Sequence, residues 1–382
     1  MNAALLALED GSVCHGEAFG AVADTVFELV FNTSMTGYQE ILTDPSYRGQ
    51  GVLFTTPHIG NVGINTEDYE AGVPQISAAV VRLVSPIGSN WRAGETFTHW
   101  LARHGVPGIS GIDTRSLTRR LRDGGTVRAA LSTCGTPASE LVRMAQGWPG
   151  LDGLDMVQAV TCPQRYTWAG DPAESWVSQD VRPFNIPSWK RPPHIVVFDY
   201  GIKRNMIRHL AAWGARVTVL PASTTAADAL ALHPDGFLLS NGPGDPSGLP
   251  YAVEAVRGLL SSGVPVFGIC LGHQLIGKAL GGQTARLKFG HHGGNHPVQD
   301  VRSGKVLVTA QNHNYVVVLD TLDPKEVEVT HLSLNDASLE GLRLRNQPVF
   351  SVQFHPEAAP GPHDAHGLFG EFFALIRQER GL

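Results

Sequence analysis

The sequence predicts an α/β protein: an N-terminal mixed α/β domain followed by a doubly wound, mainly parallel-sheet domain. Three observations carry that expectation. Between residues 194 and 280 short apolar runs alternate with stretches of helical period, the pattern of strand–helix units whose sheet is covered on both faces. Ahead of them, PSWKRPP at 187–193 is a proline-rich break. A chain of 382 residues also exceeds what one hydrophobic core normally serves. The expected division is a first domain over 1–150, a connecting segment and linker over 151–193, and the sheet domain over 194–382.

In the first domain, apolar runs place strands at 3–8, 25–33, 51–57, 78–84 and 126–132, and helical periods place helices at 95–104, 114–123 and 137–146. The middle helix holds the one basic run, Arg115 to Arg122. It follows Asp113, a good N-cap, and repeats Leu117 and Leu121 at i, i+4. Its basic face reads as solvated, with a surface for a partner chain as the alternative. In the second domain the order is strand 194–199, helix 202–213, strand 216–220, helix 224–232, strand 236–240, helix 250–261, strand 264–269 and helix 271–280. The remainder is more strand-like, at 305–310, 314–319, 326–331 and 349–354.

Composition bounds the function. Apolar residues make up 42%, enough for real cores, and 43 Gly with 25 Pro stay below the low-complexity range. No run of about 18 apolar residues is present to span a membrane. Glu9 and Asp10 stand where a signal peptide would be basic. The four cysteines (14, 134, 162 and 270) form no C-x-x-C pair, which argues against a disulfide frame or zinc knuckle and for a reducing, cytoplasmic setting. The net charge of −6 disfavours nucleic acid. Two groups among the 16 histidines invite a metal reading: His291, His292 and His296 in a Gly-rich loop, and His363 and His366 around Asp364. Neither has i, i+4 spacing on a clear helix, and no metal is expected.

The chemistry concentrates in PVFGICLGHQLIGKALGG, residues 265–282. An apolar strand ends on Cys270, and a helix starts directly after it, with Leu271, Leu275, Ile276, Ala279 and Leu280 on one stripe and Gly281-Gly282 as its stop. A cysteine between Gly268 and Gly272 at a strand-to-helix turn has the layout of a nucleophile elbow. The glycines allow a turn too tight for a Cβ. The helix start favours a thiolate. A buried structural cysteine is the alternative. Near the C-terminus, PVFSVQFHPE ends a strand on His355-Pro356-Glu357. Residues two apart in extended chain point to one side, so Glu357 can orient His355 as a base; an ordinary turn is the alternative. In LLSNGPGDPSG, the loop Gly242-Pro243-Gly244 lets backbone N–H groups approach a ligand. The N–H groups of Leu271 and Gly242 are the oxyanion donors this pattern suggests.

FGICLGHQ, SNGPGDP and FHPE resemble, in family order, the three signatures of class I glutamine amidotransferases. The resemblance implies glutamine hydrolysis through a Cys270 thioester, with His355 as base and then acid and Glu357 orienting it. FNTSMTGYQEILTDPSYRGQ, TPHIGNVGIN, GISGIDTRSLTRRLRDGG, FDYGIKRNMIRHL and KFGHHGGNHPVQD extend the similarity to about residues 3–375, toward the small-chain family of carbamoyl phosphate synthetases. By position, the glutamine contacts implied are Ser46, Gly242, Gly244, Leu271, Gln274 and the segment Asn312-His313-Asn314-Tyr315. The family usually has Asn-His-Gly-Phe there; Asn314 tolerates left-handed backbone better than most residues, and Tyr315 keeps the ring. The resemblance further implies a heterodimer, alone or within higher oligomers, with a large chain that binds ATP and Mg, receives the ammonia and makes carbamoyl phosphate for arginine synthesis, pyrimidine synthesis or both. No cofactor is implied in this chain. Two rival readings are a glutaminase serving guanylate, anthranilate or p-aminobenzoate synthesis, which leaves residues 1–190 unexplained, and a non-catalytic docking subunit.

Overall fold

The computed structural model describes residues 3–170, 183 and 186–382. The chain forms two compact units, Met1–Asp152 with Lys288–Gly293, and Gly153–Leu287 with Gly294–Leu382.

In the first unit seven strands close into a barrel, in the order Ala3–Leu8, Val13–Gly20, Pro107–Ser110, Ala78–Val80, Gln50–Phe54, Asp24–Asn32 and Val127–Ser132. Leu6, Phe27, Leu29, Leu53, Val80, Ile109 and Leu131 belong to one buried cluster, the inward-facing half of each alternating strand. The strands Val13–Gly20 and Pro107–Ser110 were not among those expected. The first has no fully buried residue and is interrupted by His, Gly and Glu, and the second is a short stretch led by Pro with a Gly. Neither carries a periodic apolar signal, and they are strands because barrel closure pairs them, Phe19 opposite Gly108. A six-residue helix, Tyr38–Thr43, also escapes the sequence pattern because it is shorter than two turns. The basic run forms the helix Thr114–Gly124, where Asp113 accepts from Ser116 N at 2.9 Å and Leu117 and Leu121 are buried.

In the second unit the strands His194–Asp199, Arg216–Pro221, Gly236–Leu239, Val266–Ile269 and Val349–Val352 pair in parallel. Antiparallel strands extend this into a ten-stranded sheet. Successive side chains enter opposite cores: Val196, Phe198 and Leu239 pack in one, Ile195, Val197 and Leu238 in the other. The helices Arg204–Ala212, Pro250–Leu260, Leu271–Ala279 and Gly367–Arg380 supply the covering layers.

Several expectations need correction. The stretch holding His291, His292 and His296 is not a loop but part of a 17-residue strand, Thr284–Asp300. Its glycines permit positive φ at Gly290 and Gly293 without ending the ladder. The segments 305–310 and 314–319 are one strand, Val306–Val317. From Gly153 the connecting segment packs into the second unit: Val157 is buried there, Tyr166–Thr167 adds an edge strand, and Arg191 grips Asp235 at 2.6 and 2.7 Å. Residues 171–182, 184 and 185 of that segment lie outside the described residues.

Candidate active site

Cys270 sits between the strand Val266–Ile269 and the helix Leu271–Ala279 with φ 53° and ψ −103°. Such a backbone is rare for a residue with a Cβ and is held by its neighbours. Cys270 N donates to Val352 O at 2.9 Å, and Gly272 N to Ser240 O at 3.0 Å. A Cβ on Gly272 would lie 2.2 Å from Leu239 O, and one on Gly268 would lie 2.9 Å from Gly272 O. Both flanking glycines are therefore required by contact. The thiol is buried and faces Asn312 O at 3.6 Å. Leu271 is the first helical residue, so its N–H has no acceptor inside the helix.

The loop after Gly236–Leu239 is equally constrained. Tyr200 N donates to Ser240 Oγ (3.0 Å), which donates to Asn241 O (2.8 Å). A Cβ on Gly242 would stand 2.1 Å from Tyr200 O, and Gly244 has φ +86°. Only residues without side chains fit this path.

The strand Val349–Val352 runs parallel to Val266–Ile269, with Gly268 opposite Ser351, and leads to His355. His355 and Glu357 are fully interior, and His355 Nδ1 meets Glu357 Oε1 at 2.6 Å. Nδ1 therefore carries the hydrogen, and Nε2 is left for chemistry. Burial disfavours charge on the His355 ring, but the Glu357 carboxylate and the Cys270 sulfur outweigh it and push its pKa up to about 10. Burial likewise opposes charge on Glu357, yet Lys203 and His355 bring its pKa down to about 2. A charged carboxylate beside a readily protonated imidazole is the base half of a triad.

Comparison with known proteins now bears on this geometry. Residues 196–375 match the family model for class I glutamine amidotransferases, and residues 6–131 match that for the carbamoyl-phosphate synthase small chain, CPSase domain. The carbamoyl phosphate synthase small chain of Escherichia coli strain K12 is 48% identical over 381 residues, covering 100% of this chain and 99% of the relative. The chain belongs to the carbamoyl phosphate synthase small-chain family. The chloroplastic small chain of Arabidopsis thaliana is similarly related, at 48% identity over 99% of this chain and 86% of its own length.

The residues that the small-chain resemblance singled out fall as follows. Gly242, Gly244, Leu271, Gln274, Asn312, Asn314 and Tyr315 lie in the second unit with Cys270, His355 and Glu357. Ser46 lies in the first unit, in the 3-10 turn Pro45–Tyr47, with its N–H donating to Asp44 Oδ1 at 2.9 Å. Gln274 Nε2 donates to Tyr315 O (2.7 Å) and Gln353 Oε1 (3.1 Å). Both amide hydrogens are thus engaged, which leaves the amide oxygen rather than the NH2 for a ligand. The Arg286 guanidinium lies 5.8 Å from the Tyr315 ring centroid. Asn314 is part of the extended strand Val306–Val317, so the left-handed tolerance that Asn offers is not drawn upon.

Two side chains that hold Glu357 went unnoticed in the sequence. Lys203, itself buried, places Nζ 2.9 Å from Glu357 Oε1 and also donates to Ala358 O. Asn205 Nδ2 donates to Glu357 O at 2.6 Å. Both come from FDYGIKRNM, whose Lys and Asn stand at the start of a helix, where polar residues normally read as solvated. The histidines flanking Asp364 form a stack: His363 and His366 lie 4.4 Å apart, and His366 lies 4.4 Å from His209.

Proposed function

We propose that this chain hydrolyses L-glutamine at Cys270 and delivers the ammonia to a large synthetase chain, which makes carbamoyl phosphate from it with bicarbonate and ATP. The observation that carries this reading is the strained Cys270 turn beside a parallel strand that leads to a buried His355–Glu357 pair.

In the mechanism, the Cys270 proton resides on His355 Nε2 and the thiolate attacks the side-chain amide carbon of glutamine. The N–H groups of Leu271 and Gly242 donate to the developing oxyanion. His355 Nε2–H then protonates the departing nitrogen, ammonia leaves, and an acyl-thioester to Cys270 remains. Water attacks that thioester as Nε2 takes its proton. The proton returns to sulfur and glutamate leaves. Glu357 stays ionised throughout and holds the ring. Gly242, Gly244, Leu271, Gln274, Asn312, Asn314 and Tyr315 contact the glutamine.

The chain needs no cofactor of its own; ATP and Mg belong to the large chain, with which it forms a heterodimer. Among the described residues no helix is long and apolar enough to cross a membrane, and the setting proposed is the cytoplasm. The product feeds arginine synthesis, pyrimidine synthesis or both.

The test is Cys270→Ser in the complex with the large chain. Glutamine-dependent synthesis should fall by roughly 10⁴-fold or more, while added ammonia is still used. Glutamine-dependent synthesis that survives would remove Cys270 as the nucleophile. Failure of wild-type complex to use glutamine at all would overturn the reading as a whole.

A further inference from the structure

The catalytic carboxylate sits at the start of an awkward turn. His355 N is tied to Ala310 O at 2.9 Å, and Ala358 N closes back on His355 O at 3.1 Å. Ala358 and Ala359 then both adopt left-handed backbone, at φ 56° and 54°. Each such residue with a Cβ costs on the order of 1–2 kcal/mol. Two in succession persist only where surrounding contacts over-determine the path.

Those contacts come from the start of the helix Arg204–Ala212. Asn205 Nδ2 donates to Glu357 O at 2.6 Å, and Lys203 reaches Ala358 O. His209 lies one turn after Asn205 and so on the same helical face. Its ring bears on the Glu357 carbonyl. That ring is fixed in place, flat on Phe369 at 4.4 Å and edge-on to His366 at 4.4 Å. Burial and the neighbouring His366 hold it neutral, with a pKa lowered to about 3.

We infer that Asn205 is a positioning residue for Glu357, fixing the carboxylate through the main-chain carbonyl of Glu357 rather than through the carboxylate itself. Lys203 neutralises the carboxylate; Asn205 decides where it stands. Loss of the amide leaves a fully buried carbonyl without that donor at the edge of a strained turn. The turn relaxes, Glu357 Oε1 moves from His355 Nδ1, and the imidazole loses its orientation. The inference rests on the glutaminase reading of the site.

The test uses the complex with the large chain, and compares wild type with Asn205→Ala and Asn205→Leu. The Leu variant keeps the number and branching of the Asn heavy atoms, so that a cavity in the Ala variant is not mistaken for the effect. Both should lower kcat for glutamine hydrolysis by about ten- to a hundredfold, with KM for glutamine nearly unchanged and ammonia-dependent synthesis intact. The alkaline limb of kcat/KM should also move to lower pH. The sign follows from Glu357 raising His355: a displaced carboxylate raises it less. An unchanged kcat, or a kcat loss with a fixed alkaline limb, would overturn the positioning role. A variant that loses activity only in proportion to its folded fraction in thermal unfolding would overturn it as well. Wild-type complex that hydrolyses no glutamine would overturn this role together with the glutaminase reading.

Discussion

The two halves of the candidate site are strained in different ways. At the elbow, the left-handed Cys270 is imposed by its flanking glycines and by the two strands that pair directly with its own: Gly268, Gly272, Leu239 O and Val352 O. At the His355 turn, the left-handed Ala358 and Ala359 are imposed from far away in sequence, by Lys203, Asn205 and Ala310. The elbow is a device of composition, since it needs residues that lack side chains. The turn is a device of topology, since it needs polar side chains that the sheet order brings back to it. A local device tolerates no added atom, whereas a long-range one tolerates addition but not removal of a partner.

The sharpest way to break that contrast is to add one methyl group at the elbow. In Gly272→Ala the new Cβ would stand 2.2 Å from Leu239 O, a backbone atom that cannot swing aside. The cost should be about 2–3 kcal/mol, read as a lowered urea midpoint, with glutaminase activity lost beyond the loss of folded protein. A fully stable and active Gly272→Ala would show that the elbow has slack, and the distinction between the two devices would fail at its first term.

The second test removes a distant partner. Lys203→Met keeps an unbranched side chain one atom shorter and deletes the charge 2.9 Å from Glu357 Oε1. Glutamine hydrolysis should drop by roughly a hundredfold, mostly in kcat, while folding is affected less than in Gly272→Ala. The pH dependence follows from the two shifted groups. Glu357 titrates near 2 instead of 4.5, so its stabilising contribution is complete above about 4.5 and is lost as pH falls through about 2. His355 titrates near 10 instead of 6.5, so its contribution is complete below about 6.5 and is lost as pH rises through about 10. Deleting Lys203 raises the Glu357 pKa and should bring acid inactivation to higher pH. An acid limb that stays in place would assign the low pKa of Glu357 to His355 alone.

The same contrast explains what could be read in the chain. The strand, the cysteine, the flanking glycines and the following helix were all legible because periodicity and glycine placement are local signals. His355 and Glu357 were legible for the same reason, as two residues at a strand end. The alternation from His194 onward likewise exposed the parallel sheet. Lys203 and Asn205 were not legible: they stand about 150 residues from Glu357 and look like ordinary polar residues opening a helix. The barrel strands Val13–Gly20 and Pro107–Ser110 were missed because pairing, not apolar alternation, makes them strands. The histidine stretch looked like a loop because its glycines hide a ladder that runs through Thr284–Asp300.

The finest discrimination concerns alanines in left-handed backbone. Ala337, at φ 60°, lies in an exposed turn closed by Ala337 N to Ser333 O at 3.0 Å. Ala358, at φ 56°, is buried beside Glu357. Glycine removes the Cβ penalty at either position and adds freedom to the unfolded chain, and the two terms oppose each other. At Ala337→Gly the net gain should be within about 1 kcal/mol, with glutaminase kcat unchanged. Ala358→Gly should change stability by a similarly small amount, but kcat should fall several-fold, because a glycine no longer confines the main chain that carries Glu357. Thermal unfolding and kcat measured side by side on the two variants decide it. Equal kcat in both would mean that Lys203 and Asn205 alone fix the turn, and that the strain at Ala358 is a by-product of the path rather than part of the device.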